Sequence, residues 1–264
     1  MSWLDRVDEP GSKDELPPLA LANLVAAEIE RRPRSMDREA ITGRILHLAA
    51  TCERIDLERL REDINADRAA CGLPSVTNPE ALSGALEGQR RYFARVMRDL
   101  VDGLPTGELI DTVYAIISRS TRYGTCAAPR LVSDLAAIYE REAQPFMAGE
   151  MANADRLIAR IRAEAAQRDS RMTTTIDALD RVASNWTRVM RPMQLLQRAN
   201  GVDHATSSEL ALRMRSLAIW LCNDQRMIDA MRRIYAILRR EFGLLADLSA
   251  RLEQDLAPAP RQAG

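Results

Sequence analysis

The chain has 264 residues, of which 46% are hydrophobic and 28% charged, with a formal net charge of −1. That length buries one large core or two smaller ones, and that charge excludes the globally basic surface with which proteins hold nucleic acid or anionic lipid. The four cysteines, Cys52, Cys71, Cys126 and Cys222, are scattered and form no CxxC pair, which excludes a disulfide framework or a zinc site and points to a reducing compartment, the cytoplasm.

Helix formers dominate the composition, and aromatics make only 4%. Lys13 is the single lysine among 37 basic residues. Residues 1–15 are acidic and proline-broken and lack the apolar core of a signal peptide, so they read as a flexible N-terminus. Pro17 and Pro18 open a helix that Pro33 ends. Ser35 is a candidate N-cap for a helix over Met36 to Arg54, and Asp56 for a third running toward Cys71. Asn78 followed by Pro79 starts a helix that closes at Gly103. Thr106 caps another, closed by "YGTCAAP". A boundary near residue 125 follows from the longer helices and rarer turns beyond it.

Past that loop "RLVSDLAAIYEREA" is one helix, and Pro145 breaks or restarts the chain. Residues from about Phe146 to Asn200 read as nearly continuous helix, with an interruption near Asp169–Thr175. Ile176, Leu179, Ala183, Trp186, Met190 and Met193 step by three and four. So do Ile228, Met231, Tyr235, Leu238, Phe242, Leu245, Leu252 and Leu256, with Ser249 filling one place. Such spacing lays one narrow apolar seam along each helix, and facing seams pair as in a coiled coil. They pair equally well within one chain or between copies, so a homo-oligomer stays open. No strand pattern is present, and no apolar run approaches the ~20 residues of a membrane span.

The fold expected is therefore all-α, a multi-helix bundle of roughly eight to ten helices with a C-terminal long-helix antiparallel hairpin. It divides into the flexible stretch 1–15, an N-terminal helical region 16–125, a C-terminal bundle and hairpin 126–257, and a disordered tail 258–264.

The stretch from Asn185 to Asn223, "NWTRVMRPMQLLQRANGVDHATSSELALRMRSLAIWLCN", has the most individual character. Gly201 stands where a helix ending near Asn200 needs a left-handed residue. Thr206 and Glu209 fit a capping box, with Asp203 or Ser207 as the other candidate caps, for a helix whose inner face is Leu210, Met214, Leu217 and Leu221. Asn223 and Asp224 offer the next turn and cap, and Pro192 withdraws one backbone donor. Asp203, His204 and Ser207 are residue types of a nucleophilic site, but loop neighbours rarely orient one another as a triad does. Neither His47 nor His204 has metal partners at ligand spacing. Walker, dinucleotide, GxSxG and HExxH motifs are absent. No catalytic residue, cofactor or metal is therefore assigned. Asn185, Arg188, Gln194, Arg215 and Asn223 are the polar groups around the seam. With Trp186 and His204 they form the candidate partner- or ligand-binding set, unless they make a buried network that fixes the helix pairing.

The residues Asn185, Trp186, Val189, Pro192, Gln194, Leu195, Gly201, Asp203, His204, Ser207, Arg215–Ala218, Leu221 and Asn223 form the pattern N-W-x-x-V-x-x-P-x-Q-L, G-x-D-H-x-x-S, R-S-L-A, L-x-N. It resembles a C-terminal helical region of certain bacterial J-domain-containing proteins. J-domains carry a His-Pro-Asp tripeptide that stimulates an ATP-driven heat-shock chaperone. Here His47 precedes Leu48 and His204 precedes Ala205, so that activity is not implied. What the resemblance implies is an accessory helical module, a client- or partner-binding platform with a heat-shock chaperone system as a candidate partner.

The function expected is a non-enzymatic cytoplasmic bacterial interaction protein, an adapter or scaffold binding a protein partner through helical surfaces. The alternative is an all-helical enzyme or small-ligand-binding protein with a pocket around Asn185–Asn223. Nucleic acid is not indicated.

Overall fold

The computed structural model describes residues 16–31 and 37–256. The expected flexible N-terminus 1–15 and tail 258–264 lie outside the described residues, as do Pro33 and Ser35. Ten helices make up the fold, with no strand among the described residues: α1 (Pro18–Arg31), α2 (Arg38–Glu53), α3 (Leu57–Ala70), α4 (Pro79–Asp102), α5 (Thr106–Ser120), α6 (Arg130–Ala166), α7 (Met172–Ala199), α8 (Ala205–Asn223), α9 (Ile228–Phe242) and α10 (Ala246–Leu256). The architecture is the all-α multi-helix bundle expected. The described residues form two compact units, one of those up to 116 together with 128–135, the other of 117–127 together with those from 136 on. The chain passes back and forth between them around residue 125.

In the first unit α1, α2 and α4 share a core that includes Leu21, Ile29, Ile45, Leu48, Phe93 and Met97. Asp56 and Asn78 cap α3 and α4 as expected. Asp37 caps α2, accepting from the Ala40 amide at 2.8 Å. Thr106 is already the first residue of α5, so it does not cap it. Helix α3 buries none of its side chains. It is tied down by Asn65, whose amide oxygen accepts from the Val76 N–H at 2.7 Å. Cys52 is buried, and burial pushes its thiol up to about 12, which leaves it a small core hydrophobe.

In the second unit two expectations about breaks are corrected. Pro145 does not interrupt the chain: α6 runs through it. An interior proline costs about 3 kcal/mol in an exposed helix, through one lost backbone bond and the clash of its ring with the preceding turn. Here Tyr139, Ala143, Met147 and Ala154 are buried on either side of the proline, and their packing outweighs that loss. The second correction concerns the expected long C-terminal helix, which breaks. It ends at Phe242 and resumes at Ala246 as α10, because the Leu245 amide turns back to the Phe242 carbonyl at 3.0 Å.

The α7 seam is buried at all six expected positions, as is the α8 face of Leu210, Met214, Leu217 and Leu221. The α9 seam is only partly as expected. Ile228 is 49% exposed, while Ile234 and Ile237, off the seam, are buried. Neighbouring helices cover α9 on more than one side, so its buried stripe is wider than a two-helix contact needs. Helices α7 and α9 run parallel, with Arg233 on Asp177, Arg240 on Asp180 and the Thr187 hydroxyl donating to the Glu241 carbonyl at 3.1 Å. Helix α8 packs on α9, which thus lies against both α7 and α8.

Candidate functional site

The turn between α7 and α8 is built as the glycine suggests. Gly201 has φ +76, the Val202 amide donates to the Gln197 carbonyl at 3.0 Å, and the Gly201 amide donates to the Arg198 carbonyl at 2.9 Å. This pair of bonds is the Schellman ending of α7, which satisfies carbonyls that the helix itself leaves free.

The two residues that follow cap two different helices. Asp203 does not cap α8: its carboxylate accepts from the Ala246 amide at 2.8 Å and the Asp247 amide at 3.0 Å, at the start of α10. His204 takes the cap of α8 instead, its ring Nδ1 accepting from the Ser207 amide at 3.3 Å. The Thr206–Glu209 capping box does not form, and Glu209 pairs with Arg213. Nor does Asp224 start α9, whose cap is Met227 with no side-chain bond.

The bond from the Ser207 amide fixes the imidazole tautomer. A backbone N–H can only donate, so Nδ1 is an acceptor and the ring proton sits on Nε2. Nε2 then donates to the Glu140 carboxylate on α6 at 3.1 Å. The Ser207 hydroxyl, 2.8 Å from Nδ1, must also donate to it. Its oxygen has two lone pairs left. The Trp186 indole N–H fills one at 2.9 Å and the Gln194 amide N–H the other at 3.1 Å. Trp186, Gln194, His204 and Ser207 are all buried. The carbonyl oxygen of Gln194 is buried without a hydrogen-bond partner.

Serine, histidine and glutamate joined in this order have the connectivity of a nucleophilic site. The chemistry is blocked at the serine. Its oxygen has no free lone pair and no solvent access, so an electrophilic carbon has no line of approach. What this arrangement does is lock α7 to the start of α8 through one hydroxyl, and α6 to the same point through the His204 ring. A second polar brace lies on α7 itself. Pro192 offers no N–H to the Arg188 carbonyl, and at the adjacent Val189 carbonyl the Tyr139 hydroxyl donates at 2.7 Å. Burial pushes that phenol up to about 12.

The candidate set therefore separates into three groups. Trp186, Gln194 and His204 come together, joined by Ser207, which the sequence places beside His204, and by Glu140, which it does not single out. Arg215 stands apart: its guanidinium grips Asp255 on α10 with bonds of 2.7 and 2.6 Å, and the Tyr235 hydroxyl donates to the same carboxylate at 2.8 Å. Burial acts to raise the Asp255 carboxyl, but the bonds from Arg215 and Tyr235 outweigh it and hold it below its ordinary value. Asn185, Arg188 and Asn223 are exposed and belong to neither group.

The outer face of α7 has a distinct character. Arg181, Arg188, Arg191 and Arg198 are all exposed, and no acid occurs between Arg181 and Asn200. Among the described residues none of the four is in an ion pair. From first to last they span about 25 Å at the helical rise per residue. At the C-terminal end of this stripe the loop after α5 lies against α7. There Arg122, Tyr123 and Gly124 have φ of 47, 59 and 83, and Tyr123 is 66% exposed. A Cβ on Gly124 would come within 3.2 Å of the Leu195 carbonyl and 3.3 Å of the Arg198 side chain.

An open cleft of about 620 Å³ lies at the first turns of α7 and α9, with Met172, Ile176, Arg226, Ile228 and Arg233 among its walls. It contains no residue of the Asn185–Asn223 segment. Among the described residues no group of three or more His, Cys, Asp or Glu side chains is placed to hold a metal, and no helix is long and apolar enough to cross a membrane. Comparison with protein-family models, with curated proteins and with solved structures finds no match to this chain.

Proposed function

We propose that this protein is a cytoplasmic bacterial adapter or scaffold without catalytic activity, and that it binds an acidic protein partner along the outer face of α7. The observation that carries this reading is the division of labour on that helix. Its inner polar side chains Trp186, Thr187 and Gln194 are bonded to Ser207 on α8 and Glu241 on α9, whereas Arg181, Asn185, Arg188, Arg191 and Arg198 face outward with no internal bonds. Four unpaired arginines without an acid among them repel a like surface and attract a complementary one. The exposed Tyr123 at the end of the stripe adds an amphipathic anchor of the kind found at interface hot spots. The formal net charge of −1 favours a local protein contact over a nucleic-acid surface, which needs basic charge over a wider area. The resemblance to a helical module of J-domain-containing proteins adds a heat-shock chaperone system as a specific candidate.

The test is affinity capture of the tagged chain from its own cells, with an Arg181→Glu/Arg188→Glu/Arg191→Glu variant in parallel. The variant should keep its helical spectrum and lose less than about 0.5 kcal/mol of stability per substituted position, as exposed positions do. A stoichiometric partner lost in the variant and released by salt is the expected result. A partner retained by the variant would sink the assignment of this face. Release of the partner by nuclease would replace the protein partner with a nucleic acid.

A further inference from the structure

We propose that α10 is an exchangeable arm and that the protein has a second, dimeric form in which each copy's α10 docks on α8 and α9 of the other. The three-and-four spacing does not register the break between α9 and α10. Tyr235, Leu238 and Phe242 continue through Leu245 and Leu252 at the same spacing, with Ser249 filling one place, as though the two were one helix.

The turn itself is short and nearly helical. It has three residues, 243–245, and Gly243 already has φ −64 and ψ −9. Straightening it needs changes at Leu244 and Leu245 and exchange of the bond between the Leu245 amide and the Phe242 carbonyl for regular helical ones. Short hinges that can extend into a continuous element are where exchange of identical elements occurs.

Everything that holds α10 in place can be re-made between copies, with one exception. Leu248 and Leu252 are buried against the bundle, and Asp255 is gripped by Arg215 and Tyr235. A second copy presents the same groove and the same two side chains. The exception is Asp203. It binds the Ala246 and Asp247 amides, which in a continuous helix turn instead to carbonyls four residues back. Asp203 therefore selects the closed form, and the residues of the turn set how firmly.

Gly243→Ala separates the two forms. In the closed turn a Cβ at this position lies 2.7 Å from the Arg239 carbonyl oxygen, a backbone atom that cannot move away cheaply. In a continuous helix alanine is preferred over glycine by about fivefold per chain, hence about 25-fold in the association constant of a dimer with two such helices.

The experiment refolds wild type and Gly243→Ala at high concentration and measures mass by light scattering on a sizing column. Arg215→Asp and Asp255→Arg are then refolded separately and together. Each charge variant alone faces a like charge at the clamp in any form. Together they restore both clamps, but only across an exchanged heterodimer. The expected result is a larger dimer fraction for Gly243→Ala, and a mixed dimer that melts above either charge variant alone. A Gly243→Ala chain that stays monomeric overturns the proposal. So does a dimer that the mixed charge variants fail to reproduce, because that dimer uses another surface.

Discussion

Ser207→Ala is the sharpest test of the buried lock. The substitution removes one oxygen atom and leaves the Trp186 indole N–H and the Gln194 amide N–H buried without an acceptor. Each orphaned buried donor costs about 1–3 kcal/mol, so the expected loss for the two is about 2–6 kcal/mol. The cap of α8 survives, because the backbone amide at position 207 still donates to His204 Nδ1. The assay is urea unfolding followed by far-UV circular dichroism, completed as a cycle with Trp186→Phe. Phenylalanine has no N–H, so in the double variant one of the two orphaned donors is gone. The two substitutions should then be less than additive by about 1–2 kcal/mol. Additivity within 0.3 kcal/mol or so would show that the indole does not depend on Ser207, and the derivation of the network would fail. A serine acting as nucleophile would behave differently: a serine-directed covalent probe would label wild type, and the alanine variant would lose labelling with little change in stability.

Other expectations follow from the same geometry. Trp186→Ala, which empties the largest fully buried side chain and also breaks the lock, should cost about 3–5 kcal/mol in the same unfolding assay. Asp203→Ala should lower stability by about 1 kcal/mol, read most directly as faster hydrogen exchange at the Ala246 and Asp247 amides while the α8 amides keep their protection. The Asp255 carboxyl lies below its ordinary 3.8, so its contribution is complete above that value and is lost as pH falls through the lower folded value. Asp255→Asn should therefore flatten the acid end of the stability profile below about pH 4 and leave its shape above pH 5 unchanged. Gly124→Ala should destabilise by about 1 kcal/mol or more, because the position combines a φ of 83 with the close approach of the Leu195 carbonyl.

The helices were legible because their signals are local. Asp56, Asn78 and Gly201 act on amides or carbonyls within a few residues, and the α7 seam is a property of one helix face. The polar partners were not legible, because they are set by tertiary approach. Glu140 meets His204 across 64 positions of chain, and Asp203 reaches α10 across 43. Histidine is also a poor predictor of a cap, since its ring serves as one only when the other nitrogen finds an acceptor, as Nε2 does here. Pro145 shows the opposite effect: a strong local signal is overruled by burial on both sides. The break at Gly243 left no trace in the spacing. Of the seven candidate site residues, three are joined in one cluster, one serves as a clamp on another helix, and three are free at the surface. Residue type did not distinguish them; the direction of the helix face did.

The adjacency of Asp203 and His204 also bears on the order in which the chain takes shape as it is made. Both residues leave the ribosome well before residue 246, and His204 can close the first turn of α8 as soon as Ser207 follows it. The acceptor for the α10 amides is thus already fixed in position when α10 emerges. Helix α10 thus meets a receptor made before it, and a chain stopped at Phe242 would carry that receptor empty.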